Sequence, residues 1–482
     1  MQKRINIYPI VLLLISMAFN LSAQQKADRS QYPTTGTLKG LDLPAIQTFE
    51  LDNGLAVYLV EKRDLPIAQF ILSFNAGSIH DPADKTGLAQ MTADMMDEGA
   101  GDYDALALSE EIDFLGIDLG VYAGREQLNL RLFTPTATLD QALPLFVDVL
   151  LKPRFEEKDL DRKRTETLVS LAQAHDEART IASTAFQQMV FGESHPYGRS
   201  AEGTEKSLRA MRTGDLENFH REYTTPANGY LIVVGDLTKT EIRNRFNPLL
   251  KNWNGGTVKS LEIPEPKKRR GFDIYLIDKP GAAQSELRFG HTGVSRQTED
   301  YYPIEVVNTI LGGSFTSRLN QNIREEHGYA YGARSYFFQP RQTGFFLAYA
   351  AVQTDVTDKA IQEFMKELNG IHSIPEADLE KARNYAALSF PGEFQSVQQI
   401  AGNLSDIVFY DLPQDWLNRH MERLLNVDRT AAERAARTYV TTDSMVLVVV
   451  GDKTKIADKI EALKLGEIHY LSKEEVLGAV PN

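Results

Sequence analysis

Residues 219–253 read FHREYTTPANGYLIVVGDLTKTEIRNRFNPLLKNW, and residues 436–465 read ARTYVTTDSMVLVVVGDKTKIADKIEALKL. Both contain Val-Val-Gly-Asp-x-Thr-Lys, at 233–239 and 449–455, with a tyrosine ahead of it at Tyr223 and Tyr439, and each feature is displaced by 216 residues. In either copy the apolar β-branched run ending in Gly-Asp predicts a buried strand and a turn, and the amphipathic stretch after it predicts a helix. A match this long in register is the mark of duplication, so the chain reads as two copies of one domain of roughly two hundred residues.

Upstream of the first copy, LDNGLAVYLVEKRDLPIAQFILSFNAGS at 51–78 sets an Asn-Gly turn before alternating apolar runs and predicts a hairpin or strand pair. GLAQMTADMMDE at 87–98 predicts a helix with Leu88, Met91, Met95 and Met96 on a core face. Strands around Leu128, Leu130 and Leu132, an amphipathic helix over 139–155 and a long charged helix follow. In the second half FDIYLIDKPGAAQSELRFGHTG at 272–293 matches the opening strands, and YYPIEVVNTILGG at 301–313 matches the helix near Gly87. With strands and helices alternating and no phosphate-binding glycine loop, the expected class is α+β: two homologous domains, each a mainly antiparallel β-sheet packed with helices. The expected boundaries are a signal peptide at 1–23, a linker at 24–45, a first domain at 46–253, a Gly/Pro-rich linker at 254–271, a second domain at 272–470 and a tail at 471–482.

At 482 residues, 42% hydrophobic and 24% charged, the chain can fill large cores. Its net charge of −14, more negative still once Lys3 and Arg4 leave with the signal, argues against nucleic acid and anionic membranes, and KKRR at 267–270 reads as solvated linker. The absence of cysteine excludes disulfides, thiolate nucleophiles, cysteine metal sites and an acylated-cysteine anchor. The N-terminus has a basic start, a short apolar core and Ala23, the layout of a secretory signal, and its apolar run falls below the roughly 20 residues that span a bilayer. A periplasmic or secreted chain with no stable membrane anchor is expected.

The stretch LGGSFTSRLNQNIREEHGYAYGARSY at 311–336 predicts a glycine turn, a short amphipathic helix ended by Gly328, and a strand. Gly312 and Gly313 are expected to supply backbone freedom at that turn, and Arg318 to anchor it. Together with the duplication, GLA at 87–89, DKPGAAQSEL at 278–287 and PEADLEKARNYAALSF at 375–390, this stretch resembles the pitrilysin/insulinase family of inverted-motif zinc peptidases, in particular its mitochondrial-processing-peptidase-like branch. The likeness runs over nearly all of the chain beyond the signal and linker, and it implies a clam-like half of a peptidase chamber.

The family carries H-x-x-E-H on a helix, two histidines on one face holding Zn²⁺ and a glutamate acting as general base, with a further glutamate ligand from a later helix. Here those positions are Gln90, Met91, Thr92, Ala93 and Asp94, and the later helix has Val169 and Ser170 where the ligand should fall. No two of the nine histidines stand three or four apart, and Gln90 with Asp94 is a poor zinc pair, so no zinc is expected on this chain. By resemblance Arg324 contacts the substrate backbone and the Tyr331 hydroxyl supports the oxyanion, with Gly312 and Gly313 on the substrate side. The implied function is a zinc-free subunit acting on short or unfolded peptides, with zinc in a homologous partner subunit that carries H-x-x-E-H. The alternative is a non-catalytic peptide-binding or scaffold protein of the cell envelope. Taken without the resemblance, Arg324 would be a solvated helix charge and Tyr331 a core residue of a strand.

Overall fold

The computed structural model describes residues 45–256, 258, 261–267 and 269–481. The signal expected at 1–23 and, Ala45 apart, the linker expected at 24–45 lie outside them.

The first half forms strands β1 (Gln47–Glu50), β2 (Ala56–Glu61), β3 (Ile67–Phe74), a two-residue hairpin β4 (Gly99–Ala100) and β5 (Tyr103–Asp104), then β6 (Asp118–Ala123), β7 (Leu128–Pro135) and β8 (Gly229–Gly235). Its main helices are α1 (Leu88–Met96), α2 (Leu139–Leu151), α3 (Glu157–Ala174), α4 (Ala178–Phe191), α5 (Thr213–Tyr223) and α6 (Lys239–Leu250). The second half repeats them as β9 (Asp273–Asp278), β10 (Gln284–Thr292), β11 (Ala330–Phe338), β12 (Phe345–Gln353), β13 (Val446–Gly451) and an added β14 (Glu467–Leu471), with helices α7 (Tyr301–Asn308), α8 (Thr357–Gly370), α9 (Glu376–Ser389), α10 (Val397–Phe409), α11 (Arg429–Tyr439) and α12 (Lys453–Ala462). The 216-residue shift read from the sequence persists in the fold, since α5 and α11 differ by that amount at both ends.

The sheet orders are β1-β2-β8-β3-β7-β6 and β11-β12-β10-β13-β9-β14. Pairing is mainly antiparallel, with parallel neighbours at β2/β8, β13/β9 and β14/β9, as the α+β expectation requires. The expected hairpin over 51–78 needs correction. β8 inserts between β2 and β3, parallel to one and antiparallel to the other. The cause is burial: β8 is apolar on both faces, and a strand that exposes neither face belongs at the sheet centre. The Asn53–Gly54 turn instead joins β1 to β2, with Gly54 at φ +84°.

Met91, Met95 and Met96 are buried in the first-half core, as their spacing predicts. The second face of each sheet is closed by the other half. Helix α4 lies on β10 and β13, setting Ile181, Ala185, Phe186 and Val190 against Phe345, Leu347, Val446 and Val448. Its counterpart α10 lies on β3 and β8, bringing Ile400, Leu404 and Ile407 into one core with Ile71, Ile232 and Val234. Gly290 makes the first exchange possible, because a Cβ there would stand 2.6 Å from the Phe186 ring and 2.1 Å from the Phe346 carbonyl oxygen. Each large apolar side chain buried this way contributes about 1.5–3 kcal/mol, so burial across the two halves stabilises both sheets. After β14 a short helix, Lys473–Leu477, buries Val476 against α4, where Gln188 Nε2 donates to the Val476 carbonyl at 2.9 Å. Among the described residues no helix is long and apolar enough to cross a membrane.

Candidate functional site

Gln90 to Asp94, the positions that the resemblance sets against the zinc motif, lie on α1, which packs on β6, α5 and α3. Ala93 is fully buried in the core. Gln90 and Asp94, one turn apart, satisfy each other, Gln90 Nε2 donating to Asp94 Oδ1 at 2.8 Å. Burial pushes the Asp94 carboxyl above its ordinary range, and the Gln90 hydrogen bond and the nearby Lys163 ammonium oppose that shift. On α3, Val169 and Ser170 are exposed, and Lys163 donates to Glu98 at 2.7 Å while Arg162 pairs with Glu98 and Glu166. Zinc sites use imidazole, thiolate and carboxylate donors in sets of three or four. One carboxylate already bonded to an amide, with a lysine close by, does not fit the metal. Among the described residues no group of three or more His, Asp or Glu side chains is arranged to hold a metal ion.

The second candidate region is built where α7 loosens. Its last turn, Thr309–Gly313, is π-helical, a short helix Arg318–Asn320 follows, and a second π-helical turn covers Gln321–Glu326. Such turns are rare and concentrate at functional sites. Gly328, at φ +64°, then ends the helical run, its N–H reaching the Arg324 carbonyl at 3.1 Å. The chain enters β11, an edge strand, and the register with β12 slips between Ala330 and Ala333. Tyr331 sits in that bulge and is 89% exposed. A bulge re-aims a side chain, and this one frees Tyr331 from the strand-core position that periodicity alone suggests.

The structure brings Arg324 and Tyr331 together. The Arg324 guanidinium carbon lies 5.2 Å from the Tyr331 ring centre and 4.8 Å from that of Phe315, itself 61% exposed, and Arg324 Nε is 3.2 Å from Glu325. Cation–π contact with two rings restricts the guanidinium without using its N–H groups. Asn320 fastens the arrangement: its Nδ2 donates to the Phe315 carbonyl at 2.7 Å and its Oδ1 accepts from the Ala333 N–H, in the bulge, at 3.2 Å. Neither Phe315 nor Asn320 was singled out in the sequence. An aromatic residue between Ser314 and Thr316, in a turn with no apolar period to bury it, was the available signal.

Gly312 and Gly313 do not act through backbone freedom, since neither has a positive φ. Gly312 permits close approach instead: a Cβ there would meet the Ser335 backbone nitrogen at 2.2 Å, and one on Gly313 would meet Asn308 Nδ2 at 2.7 Å. Gly312 is buried under β11, and Gly313 is exposed. Arg318 anchors the turn to neighbouring elements, donating to the Gly370 and Ser373 carbonyls and pairing with Asp378 at 3.1 Å. His327 is exposed, stacks on Tyr329 and faces Glu363 at 3.7 Å. The arrangement offers a guanidinium and a phenol side by side on a free sheet edge, two donors suited to a carbonyl oxygen or an oxyanion on an extended chain.

Two family models match the chain, Insulinase (Peptidase family M16) over residues 57–204 and the Peptidase M16 inactive domain over 211–385. The chain is 23% identical over 443 residues to the probable mitochondrial-processing peptidase subunit beta of Arabidopsis thaliana, covering 87% of this chain and 80% of that protein. It is 21% identical over 429 residues to the non-peptidase homolog YmxG of Helicobacter pylori, covering 87% and 97%. A crystal structure described as the peptidase M16 inactive domain from Pseudomonas fluorescens superposes with a TM-score of 0.79 at 26% identity, covering 84% of this chain and 98% of that one. With both models matched across most of residues 57–385 and the same two-sheet architecture, this chain belongs to the insulinase, or M16, peptidase family.

Proposed function

We propose that this chain is the zinc-free subunit of a two-chain peptidase, supplying Arg324 and Tyr331 to a site whose zinc is held by a homologous partner carrying H-x-x-E-H. The observation that carries the proposal is the cluster of Arg324, Phe315 and Tyr331, held outward on the bulge of an edge strand, in a chain whose Gln90 and Asp94 are bonded to each other. An extended peptide would lie along the free edge of β11, recognised through its backbone. Arg324 would hold its carbonyls, and the Tyr331 hydroxyl would donate to the oxyanion as it forms. The name of the Arabidopsis relative, a subunit, supports division of the machinery between chains. Export to the cell envelope rests on the reading of residues 1–23.

The test is Tyr331→Phe and Arg324→Ala in the chain reconstituted with its partner. Removing one donor aimed at an oxyanion costs about 3–4 kcal/mol, so turnover should fall by roughly a hundredfold or more for Tyr331→Phe. Stability should be unchanged, because Tyr331 is exposed. Unaltered turnover in both variants would remove the pair from the mechanism.

The name of the Helicobacter relative, a non-peptidase homolog, favours a second reading, in which the same edge and cluster bind peptides without hydrolysis. Absence from the genome of any similar chain with H-x-x-E-H would favour this reading over the first.

A further inference from the structure

Each sheet has an edge strand entered from a helical run that a left-handed glycine ends. Gly116, at φ +63°, closes the helix Ala105–Leu115 ahead of β6, as Gly328 closes the run ahead of β11. Among the described residues β6 pairs with β7 alone and β11 with β12 alone, so each strand turns part of its backbone away from its sheet. An extended polypeptide adds to such an edge unless something already holds the outward groups.

The two edges are held at different places. At the end of the β6–β7 hairpin the Gly124 N–H donates to the Gln127 carbonyl at 2.7 Å. Because the pattern alternates along an antiparallel pair, Tyr122 and Gly120 also face β7, and the Val121 N–H points outward. That N–H is taken: Asp97, the residue capping the C-terminal end of α1, accepts it on Oδ2 at 3.3 Å. Val121 is the fourth of the six residues of β6, so the bond falls mid-strand. Past the strand end, the Ser78 and Ile79 N–H groups hold the Gly124 and Arg125 carbonyls, each at 3.0 Å. On β11 the comparable bond, from the Ala333 N–H to Asn320 Oδ1, lies in the bulge, and residues 334–338 then run in unbroken register with β12.

Asp97 is half-buried, and burial pushes its carboxyl up to about 6, the Val121 N–H opposing that shift. A charged side chain at a sheet edge is a device by which proteins refuse a further strand. A peptide carbonyl arriving at Val121 would have to displace the carboxylate and would bring a second acceptor to its oxygens. We propose that Asp97 is a plug on the β6 edge, holding its central outward N–H so that extended polypeptide is kept off the first sheet. The plug stands on the Asp97–Val121 bond. That β11 is then the edge that takes the peptide rests on the role proposed above.

The test titrates the full chain, Asp97→Ala and Asp97→Asn with a blocked heptapeptide of alternating threonine and valine, by calorimetry, with amide exchange followed in β6. Without peptide, Asp97→Ala should speed exchange at Val121 by about fivefold or more, the effect of one lost hydrogen bond. It should also gain one peptide site per chain, and the added peptide should restore protection in β6. Asp97→Asn keeps an acceptor oxygen and should match the parent in both readouts. Asp97→Leu, of similar size and without an acceptor, repeats the test should the alanine variant not fold. Protection of β6 by peptide in the parent, or no added site in the variants that lack an acceptor, overturns the proposal. A parent that binds no peptide beside an alanine variant that binds one at β6 leaves the plug standing and removes β11, so the two proposals fail separately.

Discussion

The cleft between the helix after the opening strands and the long helix beside it occurs twice, and the two copies differ in what fills them. In the first half it holds Gln90 bonded to Asp94, with Lys163 and Glu98 paired nearby. In the second half the counterpart helix ends in a π-helical turn, a cavity opens, and the chain turns outward to expose Phe315 and Tyr331 beside a half-buried Arg324. One scaffold, shifted by 216 residues, supports a self-satisfied polar pair in one place and a cluster of outward donors in the other. Polar groups that satisfy one another have nothing left to offer a ligand, whereas the second half holds the Tyr331 side chain out in solvent.

The largest expected effect breaks the support behind the second cleft. Phe186 belongs to the first half and is buried under the second sheet. Phe186→Ala should cost about 3–5 kcal/mol in urea unfolding, with amide exchange accelerated in β10 and β13 of the other half. Loss of protection confined to the first half would mean that the exchanged helices do not couple the two.

Gly312→Ala comes next. Its Cβ would meet the backbone of β11, so it should cost about 1–3 kcal/mol, read from the urea midpoint, and it should disturb the setting of Tyr331. In the first-half cleft, Asp94→Ala should change stability by less than about 1 kcal/mol, since the lost hydrogen bond is offset by relief of a buried charge. Comparable losses at the two sites would erase the distinction drawn between the clefts.

The smallest effect is on pH dependence, where Asp97 and His420 oppose each other. Burial, with Glu98 adding to it, pushes Asp97 at the end of α1 up to about 6 from 3.8. The native state then binds the extra proton, so this contribution is present below 3.8 and lost as pH rises through about 6. Burial among Phe390 and Trp416, with Arg296 and Arg423 adding to it, pushes His420 down to about 3 from 6.5. Its contribution is present above 6.5 and lost as pH falls through about 3. The two slopes partly cancel in the native chain. His420→Phe should lose less stability than the parent between about pH 6.5 and pH 4, and Asp97→Asn should gain stability at about pH 7 relative to pH 4, both read from urea midpoints.

Much of this was legible from residue order. The Val-Val-Gly-Asp repeat gave the duplication, Gly328 the end of the helix and the methionine spacing the first core, because each depends on local period or turn chemistry. The insertion of β8 between β2 and β3 was not legible, since neighbour order in a sheet is set by which strand hides both faces. Nor were the exchanged helices: α4 and α10 have ordinary amphipathic patterns, and sequence does not say whose sheet their apolar faces meet. At the candidate site, Arg324 and Tyr331 entered through resemblance alone. Their contact depends on a bulge and on Asn320, whose two hydrogen bonds span 13 residues in one direction and 5 in the other.

The central claim is that this chain supplies donors to a site it cannot complete, and peptide hydrolysis by the purified chain, alone and mixed with its H-x-x-E-H homologue, tests it most directly. The claim predicts no turnover from either chain alone and chelator-sensitive turnover from the mixture. Chelator-sensitive hydrolysis by this chain alone would contradict it.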